Sequence, residues 1–302
     1  MLEQLPAQSK LLVQQEPLAK YTSWRIGGAA ANFFQPSSVS TLQQTLVLLP
    51  KDTPIHWLGL GSNVLVSDAG VDGIVIHTLK TLNQINIISC TNKALEIEFE
   101  AGVTCSKAAK IVAKQACVGA EFFAGIPGTI GGALAMNAGA WGFETWNNVT
   151  SVKTIDAQGR IHIRKPQDFT ISYREVVGLV KEWFLAATFV YPIGDITLAH
   201  LKIKELLAKR SASQPIGLLN CGSVFKNPPN DHAARLIEAA NLKGVAMGDA
   251  IISTKHANFI INQGKARALD VLALIEHVQK TVFNLFAVKL ELEVKVLGKI
   301  DV

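Results

Sequence analysis

The chain has 302 residues, of which 49% are hydrophobic and 18% are charged, so its composition excludes a disordered protein and predicts two or three folding units. The formal net charge is +5, but lysine and arginine form no run that would predict a nucleic-acid track. The scattered basic excess favours a small anionic ligand instead.

Apolar spacing and turn residues predict five elements in the first 120 residues. In chain order they are a helix at 40–49, strands at 55–58, 73–79 and 94–100, and a helix at 105–117 with Thr104 as its N-cap. Within 94–100, three apolar residues alternate with three glutamates, which predicts a strand with one face in water.

Residues 122–143 contain no charged side chain, and a stretch of this length could span a membrane. It includes six glycines, Pro127 and Asn137, so it would form a broken helix with little affinity for lipid. We therefore expect no membrane insertion and predict a buried, turn-rich loop that brings main chain close to a ligand.

The second half of the chain changes character at Pro192–Gly194, where strand-rich sequence gives way to helix-rich sequence and a domain boundary is expected. The predicted elements are strands at 149–155, 159–164 and 183–191, helices that begin at Asp195, Asp231 and Asp270, and a final alternating strand at 289–296. Asp231 is expected to cap its helix.

The four cysteines, Cys90, Cys105, Cys117 and Cys221, form no CxxC pair and no Cys/His group with zinc spacing. We therefore expect reduced, mostly buried thiols and no metal site. The first 17 residues lack the profile of a signal peptide, which favours a cytoplasmic protein.

The first candidate for a cofactor-binding motif is Gly59-Leu60-Gly61-Ser62-Asn63, directly after the predicted strand 55–58. Its glycines and its Ser-Asn pair offer main-chain N–H groups and polar side chains of the kind that hold a pyrophosphate. It is not a Rossmann fingerprint, because position 64 is valine and no clear helix follows. An ordinary turn would have the same composition.

A second glycine-rich segment runs from Gly125 to Gly142, and Met136-Asn137-Ala138-Gly139 lies within it. Such a segment suits main chain that lies against a flat aromatic or phosphate ligand. A tight structural loop is the alternative, although a long buried loop must satisfy its own polar backbone.

A third segment, Asn220–Pro228, places Ser223 after a glycine. No GxSxG pattern surrounds this serine, so the sequence does not indicate an acyl-transfer nucleophile. The residues leave two interpretations open, a positioned hydroxyl or an ordinary turn serine.

Two charged features could also carry chemistry. Arg174 follows Tyr173 and offers a planar fork for a carboxylate or phosphate, unless it pairs with Glu175 at the surface. Glu291 and Glu293 share one face of the final predicted strand, and the pattern favours a solvated face for both.

Eight motifs occur in the order in which one protein family has them. They are WRIGGAAANFF (24–34), LGLGSNVLVSDAGVDGIVI (58–76), EAG (100–102), AGIPGTIGGALAMNAGAWG (124–142), SYR (172–174), NCGSVFKNP (220–228), KHANFIIN (255–262) and LELEVKVLG (290–298). On these motifs the chain resembles the UDP-N-acetylenolpyruvoylglucosamine reductases (UDP-N-acetylmuramate dehydrogenases) from end to end. It is similar to their compact type, which lacks an extra tyrosine loop.

The resemblance implies an α+β fold with a vanillyl-alcohol-oxidase-like FAD-binding portion. This portion would comprise subdomains at 1–80 and 81–197, followed by a C-terminal α/β substrate-binding domain at 198–302. The implied activity is the NADPH-dependent reduction of UDP-N-acetylglucosamine-enolpyruvate to UDP-N-acetylmuramate in peptidoglycan synthesis, with FAD bound non-covalently. The implied partners are the UDP-sugar and NADPH, without nucleic acid, and we expect a monomer.

The resemblance also implies roles for individual residues. Ser223 resembles the proton donor, and Arg174 and Glu293 resemble the pair that stabilises the intermediate, which selects Glu293 over Glu291. The implied binding residues are Gly59, Gly61, Ser62 and Asn63 for the FAD pyrophosphate, Gly125, Gly128 and Gly132 for the flavin, and Tyr173, Asn227 and His256 for the substrate.

The chain departs from the family pattern at three places. Glu175-Val176 follows Tyr173-Arg174 where the family has YRxS, Trp141 replaces a tyrosine, and Cys221 replaces a small residue such as alanine. These departures affect local contacts rather than the implied reaction.

Two other functions were weighed against this one. A flavin oxidase with covalently attached flavin would need a histidine or cysteine at the flavin, and 58–64 and 122–142 contain neither. A non-catalytic nucleotide-binding protein would have no need for Arg174, Ser223 and Glu293 together.

Overall fold

The computed structural model describes residues 12–299, which fold into two compact units. The first unit comprises residues 12–13, 32–60 and 73–209, and the second comprises residues 14–31, 61–72 and 210–299. Two segments from the N-terminal quarter therefore fold together with the C-terminal part of the chain. The predicted division between subdomains at residue 80 stays a prediction.

The secondary structure of these residues mixes helices and strands throughout. The helices are α1 (Val39–Leu48), α2 (Cys105–Lys114), α3 (Ile130–Ala135), α4 (Ile196–Ser213), α5 (Ala233–Ala239) and α6 (Ala268–Phe286). The strands are β1 (Leu12–Pro17), β2 (Ala29–Phe34), β3 (Ile55–Leu58), β4 (Val64–Val66), β5 (Val71–His77), β6 (Ile85–Cys90), β7 (Ala94–Glu100), β8 (Gly139–Ala140), β9 (Phe143–Glu144), β10 (Val149–Asp156), β11 (Ile161–Arg164), β12 (Thr170–Ser172), β13 (Glu175–Val177), β14 (Glu182–Pro192), β15 (Ala246–Met247), β16 (Ala250–Ile252), β17 (Ile260–Asn262) and β18 (Lys295–Leu297). The elements predicted between residues 40 and 191 are confirmed in type.

A five-stranded antiparallel sheet in the order β11-β10-β14-β7-β6 frames the first unit. The predicted alternation holds on one face of β7, where Leu95, Ile97 and Phe99 are fully buried. The expectation of water on the other face is wrong for Glu98, which is buried and pairs with Lys153 (Oε2–Nζ 2.7 Å). β7 is an interior strand, and β10 supplies the lysine from within the same sheet, which periodicity cannot foresee.

Residues 122–143 fold into turns, as expected, around the short helix α3. A 3-10 helix at Glu121–Gly125 precedes α3, and the hairpin of β8 and β9 follows it. Over residues 12–299, no helix is both long and apolar enough to cross a membrane.

Helix α5 begins at Ala233, and the prediction that Asp231 caps it is wrong. The N–H of Ala233 donates to Oδ1 of Asn227 at 3.1 Å. Asp231 instead pairs with the guanidinium of Arg235 and accepts the N–H of His232. The cap therefore comes from a loop residue six positions upstream, which no local spacing rule indicates.

Helix α6 forms the centre of the second unit's core and begins two residues before Asp270. The N–H groups of Ala268 and Leu269 donate to the carboxylate of Asp68 at 2.9 and 3.1 Å. Asp270 closes a capping box by accepting the N–H of Arg267 at 2.8 Å. The face of α6 that the sequence predicts as apolar is buried, and it comprises Val271, Leu274, Val278 and Val282.

The predicted strand at 289–296 is wrong over most of its length. Only Lys295–Leu297 forms a strand, β18, which pairs in parallel with β4. Upstream of it, Leu292 makes an isolated bridge to Phe225. Leu290 and Val294 are buried, so the apolar alternation predicted for 289–296 reflects burial. The facing segment around Phe225 is too irregular to pair with it as a continuous ladder.

Candidate active site

The two glycine-rich segments of the first unit meet at Thr129. Gly59 lies in the turn after β3, and a Cβ at this position would collide with the Thr129 hydroxyl. The same hydroxyl accepts the N–H of Gly132 at 3.4 Å and caps α3. Thr129 is buried and was not singled out by the sequence, yet it joins both loops that are expected to contact the cofactor.

His77 lies next to Gly59 at the end of β5. Burial lowers the pKa of its imidazole to about 4. A hydrogen bond to the Gly59 main chain raises the pKa, but by less than burial lowers it. The side-chain amide of Gln35 lies 2.9 Å from Nδ1. If Gln35 Nε2 donates to Nδ1, as assigned from this geometry, the ring proton is on Nε2 and available to the Gly59 carbonyl. A neutral histidine therefore supports the first glycine-rich turn.

The segment Gly61–Asn63 belongs to the second unit. Gly61 has φ +68°, and a Cβ there would meet the carbonyl oxygen of Tyr21, so only glycine suits this turn. The side-chain amide of Asn63 donates to the carbonyl of Glu293 at 3.1 Å, and the N–H of Lys295 donates to the carbonyl of Asn63 at 3.0 Å. An expected cofactor residue and an expected catalytic residue thus lie side by side.

Several main-chain N–H groups in these segments have no acceptor within residues 12–299. In the second unit they are the N–H groups of Gly61 and Ser62, and in the first unit those of Gly128 and Thr129. Open donors at glycine-rich turns match the needs of phosphate and flavin oxygens, because such oxygens accept from clustered N–H groups. The residues present therefore fit FAD.

Trp141, one of the departures from the family pattern, packs against Gly125. A Cβ on Gly125 would collide with its indole ring, which is 39% exposed. The carbonyl of Gly128 accepts the N–H of Cys105 at 3.0 Å. The replacement of tyrosine by tryptophan thus falls on a ring that touches a glycine expected to line the flavin.

Arg174 stands at the tip of a two-residue hairpin. β12 and β13 pair with Ser172 opposite Glu175, so Tyr173 and Arg174 form the whole turn. The guanidinium donates from Nη2 to the carbonyl of Gly139 at 3.0 Å, and its Cζ lies 5.1 Å from the centre of the Tyr173 ring. These two contacts hold the guanidinium, with its fixed positive charge, at the glycine-rich segment.

Asn137 ties this hairpin to the glycine-rich segment. It is fully buried, and its Nδ2 donates to the carbonyl of Ser172 at 3.1 Å and to Glu144 Oε2 at 2.8 Å. Its Oδ1 accepts the N–H of Trp146 at 3.3 Å. The sequence did not assign Asn137 a role, although an amide inside a charge-free glycine-rich segment is the signal that could have indicated one.

Ser223 lies in an irregular segment whose next residues, Val224 and Phe225, are hydrogen-bonded on both sides. The carbonyl of Val224 accepts the N–H of Glu293 at 2.9 Å, and the N–H of Val224 donates to the carbonyl of Asn258 at 2.9 Å. The side chain of Asn258 bonds both peptide groups of Phe225. The structure therefore bonds the residue that follows the expected proton donor to the main chain of Glu293, which lies 70 residues after Ser223.

The two glutamates near the C-terminus have different surroundings. The Glu291 side chain is 70% exposed, and its Oε2 lies 3.5 Å from Lys226 Nζ, which fits the solvated face predicted for it. Glu293 is half-buried, with its main chain bonded to Asn63 and Val224. This difference supports the choice of Glu293 over Glu291.

The residues expected to contact the substrate are placed in three ways. Tyr173 is 45% exposed at the hairpin tip, and Asn227 uses its Oδ1 to cap α5. His256 packs its ring against Phe259, with 4.7 Å between ring centres, and burial lowers its pKa. Within residues 12–299 its buried Nδ1 finds no hydrogen-bond partner, which is uncommon for a buried polar atom.

Cys221 fills the position where the family has a smaller residue. It is buried, and its Sγ lies 3.4 Å from the carbonyl oxygen of Val64 and 3.6 Å from that of Gly61. Burial raises the pKa of this thiol to about 12. The protonated thiol therefore links the Ser223 segment to the turn at Gly61–Asn63.

A match to an FAD-binding domain, together with relatives named as reductases, defines a flavin-dependent oxidoreductase. Residues 30–164 match the family model of the FAD binding domain, and residues 214–297 match that of the C-terminal domain of UDP-N-acetylenolpyruvoylglucosamine reductase. The chain belongs to the UDP-N-acetylenolpyruvoylglucosamine reductase family. These matches confirm the α+β, FAD-binding fold expected from the sequence.

Relatives named UDP-N-acetylenolpyruvoylglucosamine reductase match almost the whole chain. That of Coxiella burnetii (strain CbuG_Q212) is 48% identical over 298 residues, which cover 94% of each chain. That of Legionella pneumophila (strain Corby) is 48% identical over 292 residues, covering 96% of this chain and 94% of the relative. The crystal structure of the Thermus caldophilus UDP-N-acetylenolpyruvylglucosamine reductase superimposes with a TM-score of 0.81 at 30% identity, over 95% of this chain and 98% of that chain.

Proposed function

We propose that this chain reduces the enolpyruvyl group of UDP-N-acetylglucosamine-enolpyruvate to give UDP-N-acetylmuramate, a step of peptidoglycan synthesis, with FAD as cofactor and NADPH as reductant. The observation that carries the proposal is the hydrogen bond from Glu293 N to the Val224 carbonyl, because it holds the Ser223 segment beside Glu293. Family membership and the open N–H donors at the glycine-rich turns support it.

The residues suit this reduction chemically. When bound, FAD supplies to the substrate the hydride that NADPH has provided. The hydride adds at C3 of the enolpyruvyl group, so negative charge develops at C2 and on the carboxylate of the substrate. The fixed positive charge of the Arg174 guanidinium stabilises this charge, and the family resemblance assigns Glu293 to the same pair. Ser223 donates its hydroxyl proton to C2. A serine is a weak acid, but protonation of a carbanion-like carbon is strongly downhill, so the hydroxyl suffices.

Several finer assignments belong to this proposal. Gly59, Gly61, Ser62 and Asn63 hold the FAD pyrophosphate, Gly125, Gly128 and Gly132 line the flavin, and Tyr173, Asn227 and His256 contact the substrate. The protein acts as a monomer in the cytoplasm, and residues 198–302 form its substrate-binding domain. The buried Nδ1 of His256, which has no hydrogen-bond partner among residues 12–299, supports its assignment, whereas the use of Asn227 as a helix cap leaves that residue only its amide nitrogen for a ligand.

The test separates the two half-reactions under anaerobic conditions. NADPH should bleach the visible flavin absorbance of the purified protein, and UDP-N-acetylglucosamine-enolpyruvate should restore it with formation of UDP-N-acetylmuramate. UDP-N-acetylglucosamine, which lacks the enolpyruvyl group, serves as the control and should not restore it. A reduced flavin that oxygen reoxidises but the enolpyruvyl substrate does not would identify a flavin oxidase instead.

A further inference from the structure

The side chain of Asn258 hydrogen-bonds to both the N–H and the carbonyl of Phe225. Its Nδ2 donates to the Phe225 carbonyl at 2.8 Å, and its Oδ1 accepts the Phe225 N–H at 2.9 Å. Its main-chain carbonyl accepts the N–H of Val224 at 2.9 Å. Asn258 is 3% exposed and Phe225 is 2% exposed, so these bonds are shielded from water. The amide therefore takes the place of a neighbouring strand along this edge of the segment.

The opposite edge of the same segment is held by residues 291–293. The N–H of Glu293 donates to the Val224 carbonyl at 2.9 Å, and the N–H of Lys226 donates to the Glu291 carbonyl at 2.9 Å. Phe225 and Leu292 face each other in an antiparallel bridge. Residues 224–226 thus lie between Asn258 on one side and the Glu293 segment on the other.

Ser223 has no comparable anchor of its own. Within the part of the chain that the structure describes, no residue hydrogen-bonds to its hydroxyl. The preceding Gly222 has φ +74°, and a Cβ there would have no heavy atom within 4 Å. The position of the Ser223 hydroxyl therefore depends on how firmly Val224 and Phe225 are held.

We propose that Asn258 is a positioning residue that fixes Ser223 relative to Glu293 for proton delivery; this inference rests on the proposed function. Without the amide, both peptide groups of Phe225 lose their side-chain partners in a buried place, and the segment shifts to satisfy them. A misplacement of about 1 Å is enough to slow a catalysed step roughly 100-fold. Asn258 acts through Ser223 and touches no reacting atom.

The test compares Asn258→Ala with a matched variant, Asn262→Ala, in the flavin-loaded protein. Asn262 is 4% exposed, and its side chain donates to the Trp24 carbonyl at 2.8 Å and accepts the N–H groups of Gly264 and Ala266 at 2.7 and 3.0 Å. Asn262→Ala therefore removes three side-chain hydrogen bonds, one more than Asn258→Ala removes, but none of them to the Ser223 segment. Asn258→Ala should slow flavin oxidation by the enolpyruvyl substrate about 100-fold, with NADPH reduction of the flavin and substrate affinity nearly unchanged. Asn262→Ala should alter both half-reactions equally.

A double variant distinguishes positioning from general damage. If Asn258 acts through Ser223, Ser223→Ala with Asn258→Ala should be no slower than Ser223→Ala alone. If the effects multiply, or if Asn258→Ala slows both half-reactions alike, the proposal is overturned. Where Asn258→Ala fails to fold, Asn258→Asp keeps an acceptor for the Phe225 N–H, loses the donor to its carbonyl, and should show the same selective loss.

Hydrogen exchange gives a readout that needs no turnover. The Phe225 amide should lose protection in Asn258→Ala and keep it in Asn262→Ala, whereas unchanged protection in Asn258→Ala would overturn the inference.

If the wild-type flavin is reduced by NADPH but not oxidised by the enolpyruvyl substrate, the proposed function fails, and Asn258 then has no proton delivery to position. If only the inference about Asn258 fails, the wild-type protein turns over normally and Asn258→Ala oxidises its flavin with the enolpyruvyl substrate at the wild-type rate.

Discussion

Arg174 holds a conformation that suits glycine better than arginine. Its φ is +59°, in the left-handed region, which destabilises a residue with a Cβ by about 1 kcal/mol. The fold keeps it there through the bond to the Gly139 carbonyl and the contact with Tyr173. Strain of this kind is common where a side chain must point in one direction for function, so the observation agrees with the catalytic role proposed for Arg174.

Replacement of Ser223 by alanine should affect one half-reaction only. Reduction of FAD by NADPH involves no substrate proton and should stay nearly unchanged. Oxidation of the flavin by the enolpyruvyl substrate should slow about 100- to 10,000-fold, the usual contribution of a general acid. Substrate binding should suffer little, and stopped-flow absorbance of each half-reaction measures both. Small and equal effects on the two halves would make Ser223 an ordinary turn serine.

The cysteines should differ sharply in reactivity. Cys90 is exposed, whereas burial raises the pKa values of Cys105 and Cys221 to about 12 and keeps both thiols protonated at neutral pH. Iodoacetamide should therefore label the folded protein at Cys90 and should label the others only after unfolding in urea. Cys90→Ser is the control and should remove the native labelling, as mass spectrometry of peptides can show. Rapid native labelling of Cys221 would mean that the segment before Ser223 opens readily.

At the scale of elements, α6 obtains its N-terminal cap from a distant loop. Asp68 accepts the first two N–H groups of the helix, and Asp68 lies five residues after Asn63, an expected cofactor contact. Its negative charge also interacts favourably with the positive, N-terminal end of the helix dipole. The loop that carries Asn63 is therefore attached to the main helix of the second unit.

Asp68→Ala should destabilise the protein by about 1–2 kcal/mol, because two helix N–H groups lose a charged acceptor. Urea unfolding followed by circular dichroism measures the difference. Asp195→Ala provides a comparison, since Asp195 caps α4 through one local bond to the N–H of Leu198 at 2.9 Å and should lose less. A variant of Asp68 as stable as the wild type would show that Asp270 alone suffices to cap α6.

At the scale of the whole molecule, stability should fall in mild acid because of His77. Its pKa is about 4 in the folded protein and 6.5 without burial. Between pH 6.5 and pH 4, His77 is protonated in the unfolded chain but not in the folded chain. The free energy of unfolding therefore decreases as the pH falls from 6.5 to 4, and below pH 4 it no longer depends on this group. The difference of roughly 2.5 pKa units corresponds to about 3 kcal/mol.

His77→Asn should flatten the dependence of unfolding free energy on pH between 6.5 and 4. Denaturant unfolding at a series of pH values provides the measurement. His232→Asn, at an exposed position, controls for the loss of an imidazole as such. An equally steep dependence in His77→Asn would assign the acid sensitivity to other groups.

Sequence alone determined the elements whose cause is local. Alternating side chains define β7, hydroxyl and carboxylate caps define the starts of α2 and α4, and glycine-rich turns mark the loops expected to hold FAD. The order of long motifs was enough to indicate the family and its reaction, because so many long motifs in one fixed order are very unlikely to arise by chance.

Only the tertiary structure decided what depends on partners distant in sequence. Glu98 is buried because a lysine from β10 reaches it, residues 289–294 do not form a strand because the facing segment is irregular, and α5 is capped by Asn227. The KHANFIIN motif drew attention to His256, yet the side chain that bonds to the Ser223 segment is that of Asn258, two residues after His256 and 35 residues after Ser223. A hydrogen-bond partner so far away in sequence leaves no periodic signal, so folding alone reveals it.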